Sequence, residues 1–143
     1  MKATITLQEG VSFLATGGSG HQVVMDGPPA FGGKNQGSRP MEMLLYGLGG
    51  CAAFDVVLIL RKMRQSLDSL EVEIKAERAD EDPKVFTTIH LHFKLSGKGL
   101  KTSGVEKAIE LSAEKYCSAA AMLNRVATIT HDYAIIETEN SQD

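Results

Sequence analysis

Two cysteines, Cys51 and Cys117, are the residues of this 143-residue chain most able to do covalent chemistry. A thiolate is a nucleophile, and a helix N-terminus or a nearby cation lowers the pKa of the thiol. Cys51 directly follows Gly49-Gly50 in an apolar segment, and Cys117 precedes Ser118 at a predicted junction between two helices. If a helix restarts at either position, that thiol lies near its positive end. The pair therefore favours redox chemistry, although two structural, buried cysteines would give the same pattern.

Four other side chains are candidates for a site, each with a structural alternative. Asp55 falls four residues after Cys51 and so on the same helix face. It is a candidate site residue, and the structural alternative is an ion pair or a helix cap across a dimer. His90 and His92 share one strand face, but such pairs are more often solvent-exposed, and no carboxylate is fixed nearby in sequence. We therefore predict no metal site. His131 falls on the apolar face of the last strand and is expected to be a hydrogen-bonded core or interface histidine.

Composition excludes several classes of protein. The chain is 43% hydrophobic and 23% charged, which indicates one globular domain over residues 1–143 rather than a disordered segment. A net charge of −3 argues against a nucleic-acid partner read through a broad basic face. No apolar run typical of a secretory signal follows the first methionine, and the cysteines show no Cys-x-x-Cys spacing. We expect a cytoplasmic protein with reduced thiols and no thioredoxin motif.

The elements that position these residues fall into three zones. Residues 1–37 alternate apolar and polar side chains between glycine-rich turns, which predicts a meander of short antiparallel strands. Residues 38–64 predict a long central helix, with a proline in its first turn and Glu42 near its positive end. Residues 70–138 predict the order β-β-α-α-β. The partial separation of strands from helices favours an α+β fold.

The central helix has more apolar surface than one short chain can cover. Residues 43–60 are almost wholly apolar and reach the lower limit of length for a membrane span. Asp55 and three glycines interrupt this segment and no second span is present, so we predict a buried helix and no membrane. A partner subunit is needed to cover part of it, which predicts a homodimer.

The residues around both cysteines form a recognisable pattern. Ser38-Arg39-Pro40 leads through an acidic residue and a leucine-rich stretch to Gly49-Gly50-Cys51, and residues 51–57 run into Leu60-Arg61-Lys62-Met63-Arg64. This pattern resembles the OsmC/Ohr family of osmotically inducible and organic hydroperoxide resistance proteins, in particular its OsmC-like branch. Cys117 follows a helical segment as the second family cysteine does, so the resemblance covers nearly the whole chain.

The resemblance implies a fold and a chemistry. The fold is OsmC-like, with antiparallel β-sheets around a long buried central helix, in an intertwined homodimer with sites at the subunit interface. The activity is that of a thiol peroxidase that reduces organic hydroperoxides without a cofactor. Cys51 would attack the peroxide O–O bond and become a sulfenic acid, and Cys117 would resolve it as a disulfide. An external dithiol reductant would then restore both thiols.

The chain departs from the peroxidase pattern at two places. The family glutamate directly follows the proline, but Met41 holds that position here and the carboxylate is Glu42. One residue rotates a helical side chain by about 100°, so Glu42 is a candidate site residue or only a partner of the helix dipole. The family arginine of the N-terminal strands is absent, because the first 38 residues contain no arginine. His21 and Arg39 are the cations that could replace it.

Three functions stay open on the sequence alone. The first, which we favour, is the hydroperoxide reductase. The second is a protein that binds a small apolar ligand in an adaptable pocket, and the third is a redox-sensing protein whose cysteines do not turn over. The methionines that would line the pocket of the second are Met25, Met41, Met43, Met63 and Met122.

Overall fold

The computed structural model describes residues 1–138, which form two units, Met1–Tyr46 and the part of the chain from Gly47 onward. Each unit contains one three-stranded sheet. A long helix, α1 (Pro40–Lys62), begins in the first unit and continues through the second. The protein is thus an α+β fold with two small sheets and a long central helix, as the sequence predicts.

The N-terminal sheet is the predicted meander. Its strands β1 (Ala3–Glu9), β2 (Ser12–Gly17) and β3 (Gln22–Met25) pair antiparallel in sequence order. Gly10 and Gly20 stand in the two connections with φ values of 59° and 85°. Only glycine adopts this left-handed conformation without a steric penalty, which is why the turn signals of the sequence are accurate here.

The second sheet contains one strand pair that the sequence analysis did not anticipate. Strands β4 (Ser69–Arg78) and β5 (Phe86–Gly97) pair antiparallel, but β6 (Thr128–Glu137) runs parallel to β5. The expectation of antiparallel sheets is therefore wrong for this pair. The connection from β5 to β6 contains helices, and a crossover of that length brings the chain back in the same direction.

The helical crossover contains three consecutive segments. Helix α2 (Thr102–Leu111) continues into a π-helical turn (Ser112–Tyr116), and α3 (Ser118–Leu123) follows after Cys117. The predicted kink at this cysteine is confirmed. The core of this unit lies between the helices and one face of the sheet, and its buried side chains include Ile89, Leu91, Phe93, Leu95, Val105, Ala108 and Ile109.

Helix α1 covers this core with one of its sides. The buried residues of that side follow helical spacing, and a methyl group at Gly49 would come within 2.8 Å of Cδ1 of Ile74 on β4. By length and composition alone α1 could cross a membrane, and within the structure one of its sides packs on the core of the second unit. Its other side leaves Phe54 and Leu58 exposed within the single chain. The buried side consists of Leu48, Gly49, Ala52, Val56 and Leu60.

Candidate functional site

Cys51, Asp55 and Cys117 lie together in the second unit. Their two Sγ atoms and one carboxylate oxygen are all within 4.8 Å of one another. Helix α1 supplies Cys51 and Asp55 one turn apart, so both project from the same helix face. Cys117 comes from the short connection between the π-helical turn and α3. The fold thus brings the two cysteines into one cluster, together with a carboxylate.

Cys117 occupies the N-cap position of α3. Its backbone N–H donates to the Ser112 carbonyl at 2.8 Å, and its Sγ accepts a 3.4 Å hydrogen bond from the Ala120 N–H. The side chain is only 3% exposed. Burial raises the pKa of this thiol to about 11, and the nearby Cys51 and Asp55 add to the shift, while the Ala120 N–H opposes it. Cys117 is therefore a protonated thiol at neutral pH, despite its position at a helix N-terminus.

Cys51 is the more accessible of the two thiols, since it is half-buried whereas Cys117 is buried. Helix α1 continues unbroken through Gly49-Gly50. Cys51 therefore lies inside the helix and not at a new helix N-terminus, so this possible source of thiolate stabilisation is absent. A reactant entering from solvent meets Cys51 more readily than Cys117.

Ser112 fixes the carboxylate of the cluster. Its hydroxyl donates a 3.0 Å hydrogen bond to Oδ2 of Asp55 and lies 3.4 Å from the Ala52 carbonyl oxygen. Among the ion pairs formed by residues 1–138 none includes Asp55, and its predicted ion pair or cap across a dimer stays a prediction. Sequence analysis missed Ser112. The available signal was a polar residue, here 1% exposed, that continues the helical spacing of the apolar residues Val105, Ala108 and Ile109.

A small apolar cavity of about 20 Å³ adjoins Cys117. That volume is about one water-sized probe. His131 stands at its edge, opposite Leu91 in the β5–β6 register, and so belongs to the core-facing side of β6. It is nevertheless exposed within the chain, so His131 is not a core histidine, and its place at an interface stays a prediction.

Glu42 has a different environment in the N-terminal unit. Its Oε1 accepts a 2.9 Å hydrogen bond from the Arg39 N–H, and its Oε2 accepts a 3.4 Å bond from the Tyr46 hydroxyl. The first of these is one half of a capping box, in which the third helical residue binds the N-cap N–H. The structure therefore shows Glu42 in the helix-capping role, and its role as a site residue stays a prediction.

The two cations proposed as substitutes for the family arginine, His21 and Arg39, both belong to the N-terminal unit. The Arg39 guanidinium lies 3.5 Å from the Asp26 carbonyl oxygen and 3.3 Å from that of Gly37, both in its own unit. His21 is exposed in the turn before β3. Arg39 therefore supports the loop that precedes α1.

That loop is organised by Asp26, a buried carboxylate that sequence analysis missed. Its side chain accepts hydrogen bonds from the N–H groups of Gly27, Lys34 and Gln36 at 2.7–3.1 Å. The hydrogen bond from the Gln36 N–H makes the largest contribution to lowering the pKa of Asp26, and the burial of the carboxylate acts in the opposite direction. Its position in an Asp-Gly-Pro turn was the available signal.

A second polar cluster lies on the outer face of the C-terminal sheet. Oδ1 of Asp132 accepts from Nε2 of His90 at 2.9 Å and from Nδ1 of His92 at 2.7 Å. These bonds, that from His92 first, lower the pKa of Asp132. The carboxylate that sequence analysis did not find near the histidines is therefore supplied by the parallel pairing of β6, which places Asp132 opposite His92.

Comparisons with known proteins agree with the fold described above. A family model described as OsmC-like protein matches residues 33–132. Protein YhfA of Escherichia coli strain K12 is 46% identical over 139 residues, which cover 95% of this chain and 98% of that protein.

Solved structures give the same picture. A hypothetical protein from Aquifex aeolicus VF5 is 27% identical, with a TM-score of 0.85. The match covers 96% of this chain and 97% of the Aquifex chain. The organic hydroperoxide resistance protein OhrB of Bacillus subtilis is 16% identical with a TM-score of 0.62, covering 94% of this chain and 98% of its own. At that identity the last comparison supports the fold alone.

Proposed function

The chain belongs to the OsmC/Ohr family, and from that premise we propose that it is a thiol-dependent peroxidase that reduces organic hydroperoxides. The observation that carries the proposal is the separation of the Cys51 and Cys117 sulfurs, at most 4.8 Å. A disulfide requires the two sulfurs to approach to about 2.05 Å, which is a short movement from their present separation.

In the proposed reaction the more exposed thiol acts first. The Cys51 thiolate attacks the outer oxygen of the hydroperoxide, the O–O bond breaks, and the alcohol leaves after taking up a proton. Cys51 becomes a sulfenic acid. The Cys117 sulfur then attacks the Cys51 sulfur, the S–O bond breaks, and water leaves. An external dithiol returns two electrons and two protons to the disulfide and restores both thiols.

The properties of Cys117 suit a resolving residue. Burial keeps the Cys117 thiol protonated at neutral pH and out of contact with hydroperoxide in solution. Because the thiolate is the form that attacks a peroxide, Cys117 does not compete with Cys51 for the substrate. It is held in place through its N-cap hydrogen bond, next to the sulfur that it must attack. Glu42 remains a candidate site residue in this scheme, in addition to its capping bond at the start of α1.

The proposal includes a homodimer. A second copy of the chain would cover the exposed apolar side of α1, which includes Phe54 and Leu58 at 66% and 43% exposure. Contiguous apolar surface of this kind in a soluble protein marks an interface. The N-terminal sheet also exposes apolar side chains that a partner would bury, namely Ile5, Leu7, Val23 and Val24. Because the cycle needs reduced thiols, we expect the protein to work in the cytoplasm.

A second candidate function is the binding of a small apolar ligand. A groove of about 520 Å³ is lined by Asp55, Lys62 and several apolar side chains. Cavities of about 300–1,000 Å³ are typical of small-ligand sites. Of the predicted methionines, Met63 lines this groove, together with Leu58, Ile59, Leu111 and Tyr116.

Thiol counting separates the two functions. Reduced protein is mixed with one equivalent of cumene hydroperoxide, and free thiols are counted over minutes. The peroxidase loses both thiols rapidly, whereas the Cys51→Ser variant loses none at that rate. If wild-type protein retains both thiols while native mass spectrometry finds a bound apolar molecule, the second function replaces the first.

A further inference from the structure

Two thiols and one carboxylate meet at the cysteine cluster. The two Sγ atoms and a carboxylate oxygen of Asp55 all lie within 4.8 Å of one another. Among residues 1–138 the ion pairs do not include Asp55, whose carboxylate accepts a hydrogen bond from the neutral Ser112 hydroxyl. A bound cation would offset the negative charge of two thiolates and a carboxylate held this close together.

The ligand types select the cation. Two thiolates and one carboxylate suit Zn²⁺, which binds sulfur at about 2.3 Å and oxygen at about 2.0–2.2 Å, usually with tetrahedral geometry. Ligand atoms around such an ion lie about 3.6–3.8 Å apart. The observed separations of at most 4.8 Å therefore require only a small inward movement of side chains. Hard cations such as Mg²⁺ and Ca²⁺ prefer oxygen ligands alone and fit this set poorly.

The elements that carry the ligands are suited to hold an ion. Cys51 and Asp55 stand at positions i and i+4 of α1, a spacing that directs two helical side chains to one ion. Cys117 is fixed by its backbone bond to Ser112 and by the Ala120 N–H at its sulfur. The Ser112 hydroxyl orients the carboxylate from behind. Such outer hydrogen bonds are the supports that metal ligands require.

We propose that Cys51, Asp55 and Cys117 bind one Zn²⁺ ion per chain in the reduced protein, with a fourth position left for water. Binding replaces the two thiol protons: two Cys–SH and Zn²⁺ give a zinc dithiolate and two H⁺. The proposal goes beyond the peroxidase function and does not depend on it. Sequence analysis predicted no metal site because it treated the cysteines only as a redox pair and looked for metal ligands at His90 and His92.

Cobalt is the probe for this site. Reduced protein is titrated with Co²⁺ without oxygen, and we expect a near-ultraviolet thiolate-to-cobalt band and the visible bands of a four-coordinate ion. Both should saturate at one Co²⁺ per chain and disappear on addition of Zn²⁺. Asp55→Asn should weaken binding by about 10-fold or more, and Cys51→Ser should remove most of the charge-transfer intensity. Asp132→Asn, which alters the surface histidine cluster instead, should bind as the wild type does.

Three outcomes would overturn the proposal: no thiolate-to-cobalt band in the wild type, a band that survives Cys51→Ser, or a band lost in Asp132→Asn. Circular dichroism verifies that each variant is folded. Wild-type protein oxidised with diamide needs no substitution and must lose the band, since its thiolates are in a disulfide. Hydroperoxide consumption by chelator-treated protein is measured separately. Activity without cobalt binding refutes only the zinc site, and cobalt binding without activity refutes only the peroxidase.

Discussion

Ser112 donates a 3.0 Å hydrogen bond to Oδ2 of Asp55, and this bond holds a carboxylate beside two thiols. The donor comes from the start of the π-helical turn after α2 and the acceptor from α1, so the bond also ties the helical crossover to the central helix. The geometry of the cluster therefore depends on a residue that does no chemistry itself.

Removal of this hydroxyl should destabilise the protein. In Ser112→Ala the Asp55 carboxylate loses its donor within the chain, and we expect the free energy of unfolding to fall by about 1 kcal/mol. Urea denaturation followed by circular dichroism measures the change. Ser103→Ala is the matched control, since Ser103 is exposed on α2 and its replacement should leave stability unchanged. Equal stability of the two variants would show that the bond contributes nothing.

The pKa of about 11 for Cys117 predicts slow alkylation. In the Cys51→Ser variant, which leaves one thiol, iodoacetamide should react with folded protein at pH 8 more than about 10-fold more slowly than with urea-unfolded protein. The raised pKa also has a consequence for stability. The contribution of the Cys117 thiol to the free energy of unfolding is present below about pH 8.5, where the thiol of the unfolded chain is also protonated. It is lost as the pH rises towards 11.

A folded protein that alkylates as fast as the unfolded one at pH 8 would contradict the burial of Cys117. The measurement needs an intact fold at each pH, which near-ultraviolet circular dichroism verifies. The same experiment on Cys117→Ser reports on Cys51 alone and should give the faster of the two folded-state reactions, because Cys51 is the more exposed thiol.

Phe54 lies on the uncovered side of α1, so a charge at this position tests the proposed dimer interface. Phe54→Asp should convert a dimer into a monomer or greatly weaken it, because a carboxylate would have to be buried against apolar side chains. Sedimentation equilibrium measures the mass. Ile136→Asp places the same charge at an exposed residue of β6 and should remain dimeric. A monomeric wild type, or a dimeric Phe54→Asp, would contradict the proposed assembly.

Asp26 should make the stability of the protein depend on pH in the acid range. Its pKa is lowered by three backbone donors, the Gln36 N–H foremost, so its contribution to stability is present above the unfolded pKa of about 3.9. It is lost as pH falls through the lower, folded pKa. Asp26→Asn should therefore lower the melting temperature at pH 7, and the difference from the wild type should shrink below about pH 4. Asp80→Asn, at an exposed aspartate, should show no such difference at any pH.

Much of the fold could be predicted because local patterns determine it. Period-two alternation predicts the strands. The bounds of α1 follow to within two residues from the proline at its start and the basic residues at its end. The parallel pairing of β6 could not be predicted, since strand direction depends on how the crossover helices pack. Asp132 was missed for the same reason, because its position beside His92 follows from that pairing.

The site was predicted less completely. Helical spacing placed Asp55 on the face of Cys51, but the approach of Cys117 rested on the family resemblance and not on any local pattern. Ser112 was read as part of an apolar helical repeat, because a serine buried for its hydrogen bond looks like any small residue there. Helix α1 runs unbroken through Gly49-Gly50, as the prediction of one long helix requires, and Gly49 packs closely on Ile74.

The most direct test of the peroxidase account is to trap the proposed intermediate. Cys117→Ser removes the resolving thiol, so one equivalent of cumene hydroperoxide should leave a sulfenic acid on Cys51, which dimedone converts into a stable adduct. Peptide mass spectrometry should find that adduct on Cys51 in the variant and a Cys51–Cys117 disulfide in the wild type. Absence of both products after treatment with hydroperoxide would contradict the account.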